Sequence, residues 1–223
     1  MTSADKYARA AERWSEEQYA DSEAYLRHRA ELIVSLGPRL EPGARVLDLA
    51  CGDAGLAEFL RPFEYSGVDA SEPMVRAARA RGARVELADL NDYEPPEPVA
   101  ATTCFRAIYY ARDRRELFRR IAGYTEKKLV FDLNPRQYAV ADVREDLRAA
   151  GFDRLALRPF FVPQTRALPR PLATFARIAE VSGPLARLAL FFRFTYLCAA
   201  SRHATSVDEM SAKRHSQKVE RDR

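Results

Sequence analysis

The stretch from Val46 to Leu60, VLDLACGDAGLAEFL, constrains this chain more than any other. Val46 and Leu47, with Leu49 beyond the acidic Asp48, give the short apolar run of a strand buried in a parallel sheet. The chain then turns through Ala50-Cys51-Gly52-Asp53-Ala54-Gly55 and resumes helical spacing at Leu56, Phe59 and Leu60. This order predicts a strand, a tight turn and a helix, and small residues in the turn let a ligand reach the backbone and a helix N-terminus. Asp48 narrows the choice of ligand. A carboxylate at a strand end repels phosphate and suits a group bearing ammonium or hydroxyls.

The pattern recurs twice. Tyr65-Ser66-Gly67-Val68-Asp69 reads as a second strand ending in an acid. Asp69 lies about 20 residues beyond the first motif, the spacing at which a carboxylate takes both vicinal hydroxyls of a ribose. Val85-Glu86-Leu87-Ala88-Asp89-Leu90 reads as a third strand followed by an acid, with Asp92 and Glu94 as nearby alternatives to Asp89.

With these three acids in place, the sequence resembles the class I S-adenosylmethionine-dependent methyltransferases. Their first motif runs acidic-x-Gly-x-Gly-x-Gly, and Asp48, Ala50, Gly52 and Ala54 fall on its four positions, with alanine at two of the three glycines. Alanine at the first of them is expected to keep a negative φ, and Gly55 to share the flexibility required at Ala54.

The resemblance implies an α/β fold: a Rossmann-like, seven-stranded, mostly parallel sheet with helices on both faces and an N-terminal helical lid. The seventh strand would insert antiparallel between the fifth and sixth, after a helical insertion. The resemblance also implies S-adenosylmethionine as cofactor. Asp48, Ala50, Cys51 and Gly52 would form its first turn, Asp69 and Ala70 would meet the ribose, and Met74 would flank the adenine. Asp89 would accept from the adenine amino group, with the Leu90 backbone beside the ring. Tyr19 and Arg29, on the helices that cover the cofactor, are candidates for its methionine carboxylate, since guanidinium pairs well with carboxylate.

Val99–Phe105 is the expected fourth strand. Ligands sit beyond the C-terminal ends of parallel strands, so Phe105, Arg106, Tyr109 and Tyr110 should border the transferable methyl. Either tyrosine can orient an acceptor hydroxyl, hold the sulfonium by cation–π attraction, or simply wall the pocket. Lys127–Leu133 is the expected fifth strand, and Asn134, Arg136 and Gln137 at its end are candidate acceptor contacts. Among the three histidines, His28, His203 and His215, only His28 is placed to face the pocket as a general base.

One domain is expected over residues 1–201. It would hold N-terminal helices to residue 43, a cofactor-binding core over 44–162, a helical insertion over 163–192 and a closing strand over 193–201. The polar tail, 202–223, is expected to be disordered. The N-terminal helices run from about Ala4 to Leu40, broken near Ala20-Asp21-Ser22, with Trp14, Tyr25 and Ile33 among their apolar positions. The insertion carries two apolar pieces, LATFARIAEV and LARLALFF, expected to bury against the core. A lid, a dimer contact or a membrane-surface helix through Leu188, Phe191 and Phe192 are the alternatives.

Composition limits the function. At 223 residues and 47% hydrophobic content the chain can bury a full core. Cys51, Cys104 and Cys198, widely spaced and odd in number, argue against a disulfide framework or any metal cluster and for a reducing cytoplasm. The polar start does not read as a signal peptide, and no apolar run is long enough to span a bilayer. The net charge of +4 is uneven: residues 151–201 hold seven basic and two acidic side chains. No aromatic RNA-binding motif accompanies that charge, and Asn134-Pro135-Arg136-Gln137 lacks the second proline and aromatic of the amino-group DNA methyltransferases, so no nucleic-acid partner is expected. The expected function is methyl transfer to a small-molecule acceptor by in-line displacement, in a monomer or homodimer. The alternatives are a quinone or other lipid acceptor at a membrane surface, an NAD(P)-dependent oxidoreductase, and a non-catalytic cofactor-binding protein. The oxidoreductase would want the second and third glycines for its pyrophosphate, and Asp48 would repel that group.

Overall fold

Alternating apolar residues in the strands build a seven-stranded sheet in the computed structural model, which describes residues 19–162, 169–184, 186, 188 and 195–202. The expected helix before Tyr19, most of LARLALFF with Phe191 and Phe192, and the tail with His203 and His215 lie outside the described residues. The strands are β1 (Arg45–Leu49), β2 (Glu64–Asp69), β3 (Val85–Leu87), β4 (Val99–Cys104), β5 (Thr125–Leu133), β6 (Arg154–Pro159) and β7 (Tyr196–Ser201). Their order across the sheet is β3-β2-β1-β4-β5-β7-β6, with β7 antiparallel to both of its neighbours and β1 to β5 parallel. The expected insertion of the seventh strand is therefore present.

Period-two alternation assigns the two faces. Val46, Val130 and Leu197 pack against α1 (Ser22–Ser35) through Tyr25, Leu26 and Ile33. Leu47, Leu129 and Phe131 pack on the other face against α3 (Arg114–Tyr124) and α4 (Val140–Ala149), through Phe118, Ile121, Val143 and Leu147. Between β2 and β3, α2 (Glu72–Ala80) buries Met74 and Val75. The last helix, α5 (Arg170–Val181), lies in the insertion.

Caps fix where the helices begin and end. Asp21 accepts from Ala24 N at 3.0 Å and starts α1 at the expected break. At the other end, the buried Lys128 ammonium donates to the Val34 and Leu36 carbonyls at 3.2 and 2.8 Å. It thereby satisfies acceptors that a helix end leaves open and ties α1 to β5. Burial lowers the Lys128 pKa to about 8. Asp113 caps α3, and Gly151, at φ +97, follows the end of α4.

Two local expectations are corrected, and the third strand, present as expected, is short. No α-helix follows the first turn: Ala57–Leu60 is a single turn of 3-10 helix. Pro62, which has no backbone N–H, cannot continue its hydrogen bonding. The third strand stops at Leu87, since Asp89 Oδ1 accepts from Asn91 N at 2.8 Å and its carbonyl from Asp92 and Tyr93. That local turn competes with the strand ladder. The insertion helix does not bury its large apolar residues: Leu172, Phe175, Ile178 and Val181 are all exposed.

Candidate cofactor and acceptor site

The turn after β1 is strained. Ala50, Gly52 and Ala54 stand at φ +56, +60 and +54, so the expectation of a negative φ at Ala50 is not met. A left-handed alanine costs roughly 1–2 kcal/mol, and neighbouring bonds oppose that cost. Cys51 N donates to the Val68 carbonyl at 3.0 Å, and Gly52 N to Asp69 Oδ2 at 2.8 Å. Gly67 is required beside them, because a Cβ there would lie 2.7 Å from Cys51 Sγ. Burial pushes the Cys51 thiol well above its usual range.

Three carboxylates converge here, each in a different setting. Asp48 is buried between β2 and β4 and accepts from Thr103 Oγ1 at 2.6 Å and Tyr65 Oη at 2.9 Å. Burial raises its pKa to about 6, against the pull of those two donors. Asp69 Oδ1 accepts from Ser71 N at 2.8 Å, while Oδ2 holds Gly52 N; burial raises its pKa too. Asp89 is more exposed, and the Asn91 backbone N–H lowers its pKa, with Arg112 adding to the effect.

A fourth group joins from α1. Arg29 is 3% exposed, with its guanidinium 4.2 Å above the Phe105 ring and 4.8 Å from the Tyr25 ring. One of its terminal nitrogens donates to Tyr25 Oη at 2.7 Å, and Asp132 Oδ2 lies 3.7 Å away. Its Nε is buried and has no hydrogen-bond partner among the described residues. A buried donor without an acceptor is costly unless a ligand supplies one. Arg106, at φ +54 just past β4, donates its backbone N–H to Asp132 Oδ1 at 2.6 Å and its side chain to the Tyr19 hydroxyl.

These groups line one cavity of about 470 Å³, outside the strand ends where the sheet order reverses between β1 and β4. All the residues expected to meet the cofactor border it: Tyr19, Arg29, Asp48, Ala50, Cys51, Gly52, Asp69, Ala70, Met74, Asp89, Leu90, Phe105 and Arg106. Tyr109 and Tyr110 stand at its rim, 40% and 46% exposed, with ring centroids 4.6 Å apart. Among the described residues, the α-helical N-terminus that reaches the cavity is that of α2, through its cap Ser71.

Four expected site residues lie elsewhere. His28 does not border the cavity: its Nε2 is 2.5 Å from Glu180 Oε2, and its Nδ1 faces Arg177 at 3.0 Å. Both ring nitrogens are engaged in joining α1 to α5, so the general-base expectation is corrected. Asn134, Arg136 and Gln137 do not border it either. Asn134 closes its own turn, with Oδ1 accepting from Arg136 N at 3.0 Å and its carbonyl from Gln137 N at 2.9 Å. Sequence reasoning passed over Tyr65, Thr103 and Asn91. The first two hold Asp48, and Asn91 Nδ2 reaches the Tyr110 carbonyl at 3.2 Å, linking the loops after β3 and β4. Only the register, which pairs Asp48 with Thr103, could have flagged the threonine.

A crevice at the switch point of this strand order, ringed by acids that follow the strands, is the place where a parallel α/β sheet takes its ligand. Residues 46–128 match the family model of a methyltransferase domain. A methyltransferase bound to the Trm112 methyltransferase activator, from a Haloferax volcanii complex, superposes with a TM-score of 0.61 at 19% identity, over 91% of this chain and 99% of that one. Magnesium protoporphyrin IX methyltransferase from Synechocystis PCC 6803, solved with S-adenosylmethionine, gives 0.54 at 17% identity, over 91% and 85%. An S-adenosylmethionine-dependent methyltransferase from Clostridium acetobutylicum gives 0.57 at 13%, over 91% and 100%. At these identities the superpositions establish the fold. No curated protein matches the sequence. Over residues 46–128 the chain is thus similar to a methyltransferase domain, and it shares the fold of proteins that use S-adenosylmethionine.

Proposed function

We propose that the protein transfers a methyl group to a small-molecule acceptor that enters past Tyr109 and Tyr110. The observation that carries this reading is the polar lining of the cavity: the acceptor carboxylates Asp48, Asp69 and Asp89, with the unpartnered donor Nε of Arg29. In this reading Asp69 takes the ribose hydroxyls while its bonds to Gly52 and Ser71 hold the turn. Asp89 accepts from the adenine amino group, Met74 packs on the ring, and Asp48 faces the cationic end. Arg29, with Tyr19 and Arg106 nearby, supplies the donors for the methionine carboxylate.

The bound cofactor supplies a methyl carbon already activated by its sulfonium. The protein's own residues then have to align an acceptor and exclude water, which proximity and desolvation make sufficient without an obligatory base. Phe105 and the two tyrosines form the wall on that side. The exposed apolar face of α5 favours a second reading, a lipid acceptor reached at a membrane surface.

A screen of phenols, amines, carboxylates and quinols, following S-adenosylhomocysteine release, tests the proposal. Turnover with a soluble member of the set, reduced when Tyr109→Ala and Tyr110→Ala open the wall, is the expected result. Tight cofactor binding with turnover only on vesicle-borne quinol would favour the second reading. Binding without turnover on any acceptor would overturn both.

A further inference from the structure

Helix α5 is built inside out. Leu172, Phe175, Ile178 and Val181 recur every three residues and are 54%, 63%, 59% and 67% exposed. The opposite side turns small and polar residues inward, with Ala179 and Glu180 buried and Ala173 and Ala176 half-buried. This orientation is pinned. Glu180 Oε1 accepts from Phe161 N at 2.7 Å and Oε2 lies 2.5 Å from His28 Nε2, while Arg177 bridges to Glu31 and His28. Rotating the helix to bury Phe175 would carry Glu180 out of its place and leave the buried His28 ring and the Phe161 N–H without their partner, which carries the cost of stranded polar groups. The apolar face therefore points outward by construction, and beyond α5 Leu188 is 52% exposed as well.

Charge selects the partner. Residues 154–200 contain seven arginines, and Glu180 is their only carboxylate. Since that carboxylate is buried, none from this stretch faces outward to repel an anion. A second copy of the chain would bring two such cationic stretches together, whereas lipid phosphates would be attracted to either one. An outward apolar helix face within a cationic stretch has the chemistry of a helix lying in a bilayer interface. Among the described residues no helix is long and apolar enough to cross a membrane. We propose that α5 docks the protein on an anionic phospholipid surface, with Phe175 and Ile178 entering the headgroup–acyl boundary. Because His28 and Glu31 belong to α1, which also brings Leu26 and Arg29 to the cavity, the docking helix and the lid are held as one unit. Docking does not depend on what the acceptor is.

Flotation of the full chain with vesicles tests this, comparing phosphatidylcholine alone with phosphatidylcholine plus phosphatidylglycerol. The expected result is binding only to the anionic vesicles, weakened by salt. The double variant Phe175→Glu, Ile178→Glu should reduce that partition by more than about tenfold while leaving S-adenosylmethionine affinity, and hence the fold, unchanged. As an independent readout, Phe175→Trp in a Trp14→Phe background should be quenched by brominated acyl chains. Failure to float at every phosphatidylglycerol fraction, an unquenched Trp at position 175, or a double variant that floats like the parent would each overturn the proposal. So would a dimer that the double variant dissolves without any lipid binding, which would assign the face to a second copy.

Discussion

On the β3-β2-β1-β4 flank of the sheet, Asp48 and Asp69 accept only from hydroxyls and backbone amides, and the cavity opens beside them. On the β5-β7-β6 flank the buried carboxylates are held by basic side chains: Asp146 by Arg114 and Arg115, Glu180 by His28. Both flanks bury acids, but neutral donors leave the first pair able to meet a ligand, while cations turn the second pair into fasteners between helices. The contrast teaches that an acid shielded from solvent must be judged by the charge of its partners as well as by its place.

Paired substitutions can break that comparison. Asp69→Ala should weaken S-adenosylmethionine binding by roughly 100-fold, the loss of charge-assisted bonds together with the turn they hold. Glu180→Ala should leave that affinity within about twofold yet lower unfolding stability by about 3 kcal/mol, because it strands buried partners. Calorimetric titration and urea denaturation of both variants decide it. If the two exchange effects, the distinction fails.

A smaller effect sharpens the role of Asp48. Its pKa of about 6 lies above the ordinary 3.8, so ionisation opposes folding of the ligand-free protein. That contribution to stability is fully present below about pH 4 and lost as pH rises through 6. Cofactor binding runs the other way, since a cationic ligand prefers the carboxylate. Affinity should rise roughly tenfold from pH 5 to pH 7 as Asp48 ionises, and Asp48→Asn should flatten the profile. A profile unchanged by that variant would remove Asp48 from the site.

The smallest effect tests the strained turn. Ala50→Gly and Ala54→Gly relieve left-handed alanines at some cost in unfolded-state entropy, so each should stabilise by about 0.5–1 kcal/mol. Destabilisation in denaturant melts would mean that the methyl groups contribute packing that outweighs the strain.

Legibility in the sequence follows the same division. Asp48, Asp69 and Asp89 were readable because strand, turn and acid are close in sequence, and local spacing reports on such units. The strands were readable too, whereas the insertion of β7 came from the resemblance alone, and the expected helix after the first turn shrank to the 3-10 turn that ends before Pro62. The positive φ at Ala50 was not legible, because the bonds that force it come from Val68 and Asp69. His28 was misread since its partner Glu180 lies 152 residues away. The outward face of α5 was misread for the same reason: helical spacing reveals an apolar stripe but not which way it points. Tertiary contacts from Glu180 decide that.

A crystal of the protein grown with S-adenosylhomocysteine tests the central claim most directly. The account predicts the ribose hydroxyls on Asp69, the adenine between Met74 and Asp89, and the carboxylate on Arg29 Nε. An adenosyl group outside this crevice, or a crevice that instead takes the pyrophosphate of NADH, would contradict it.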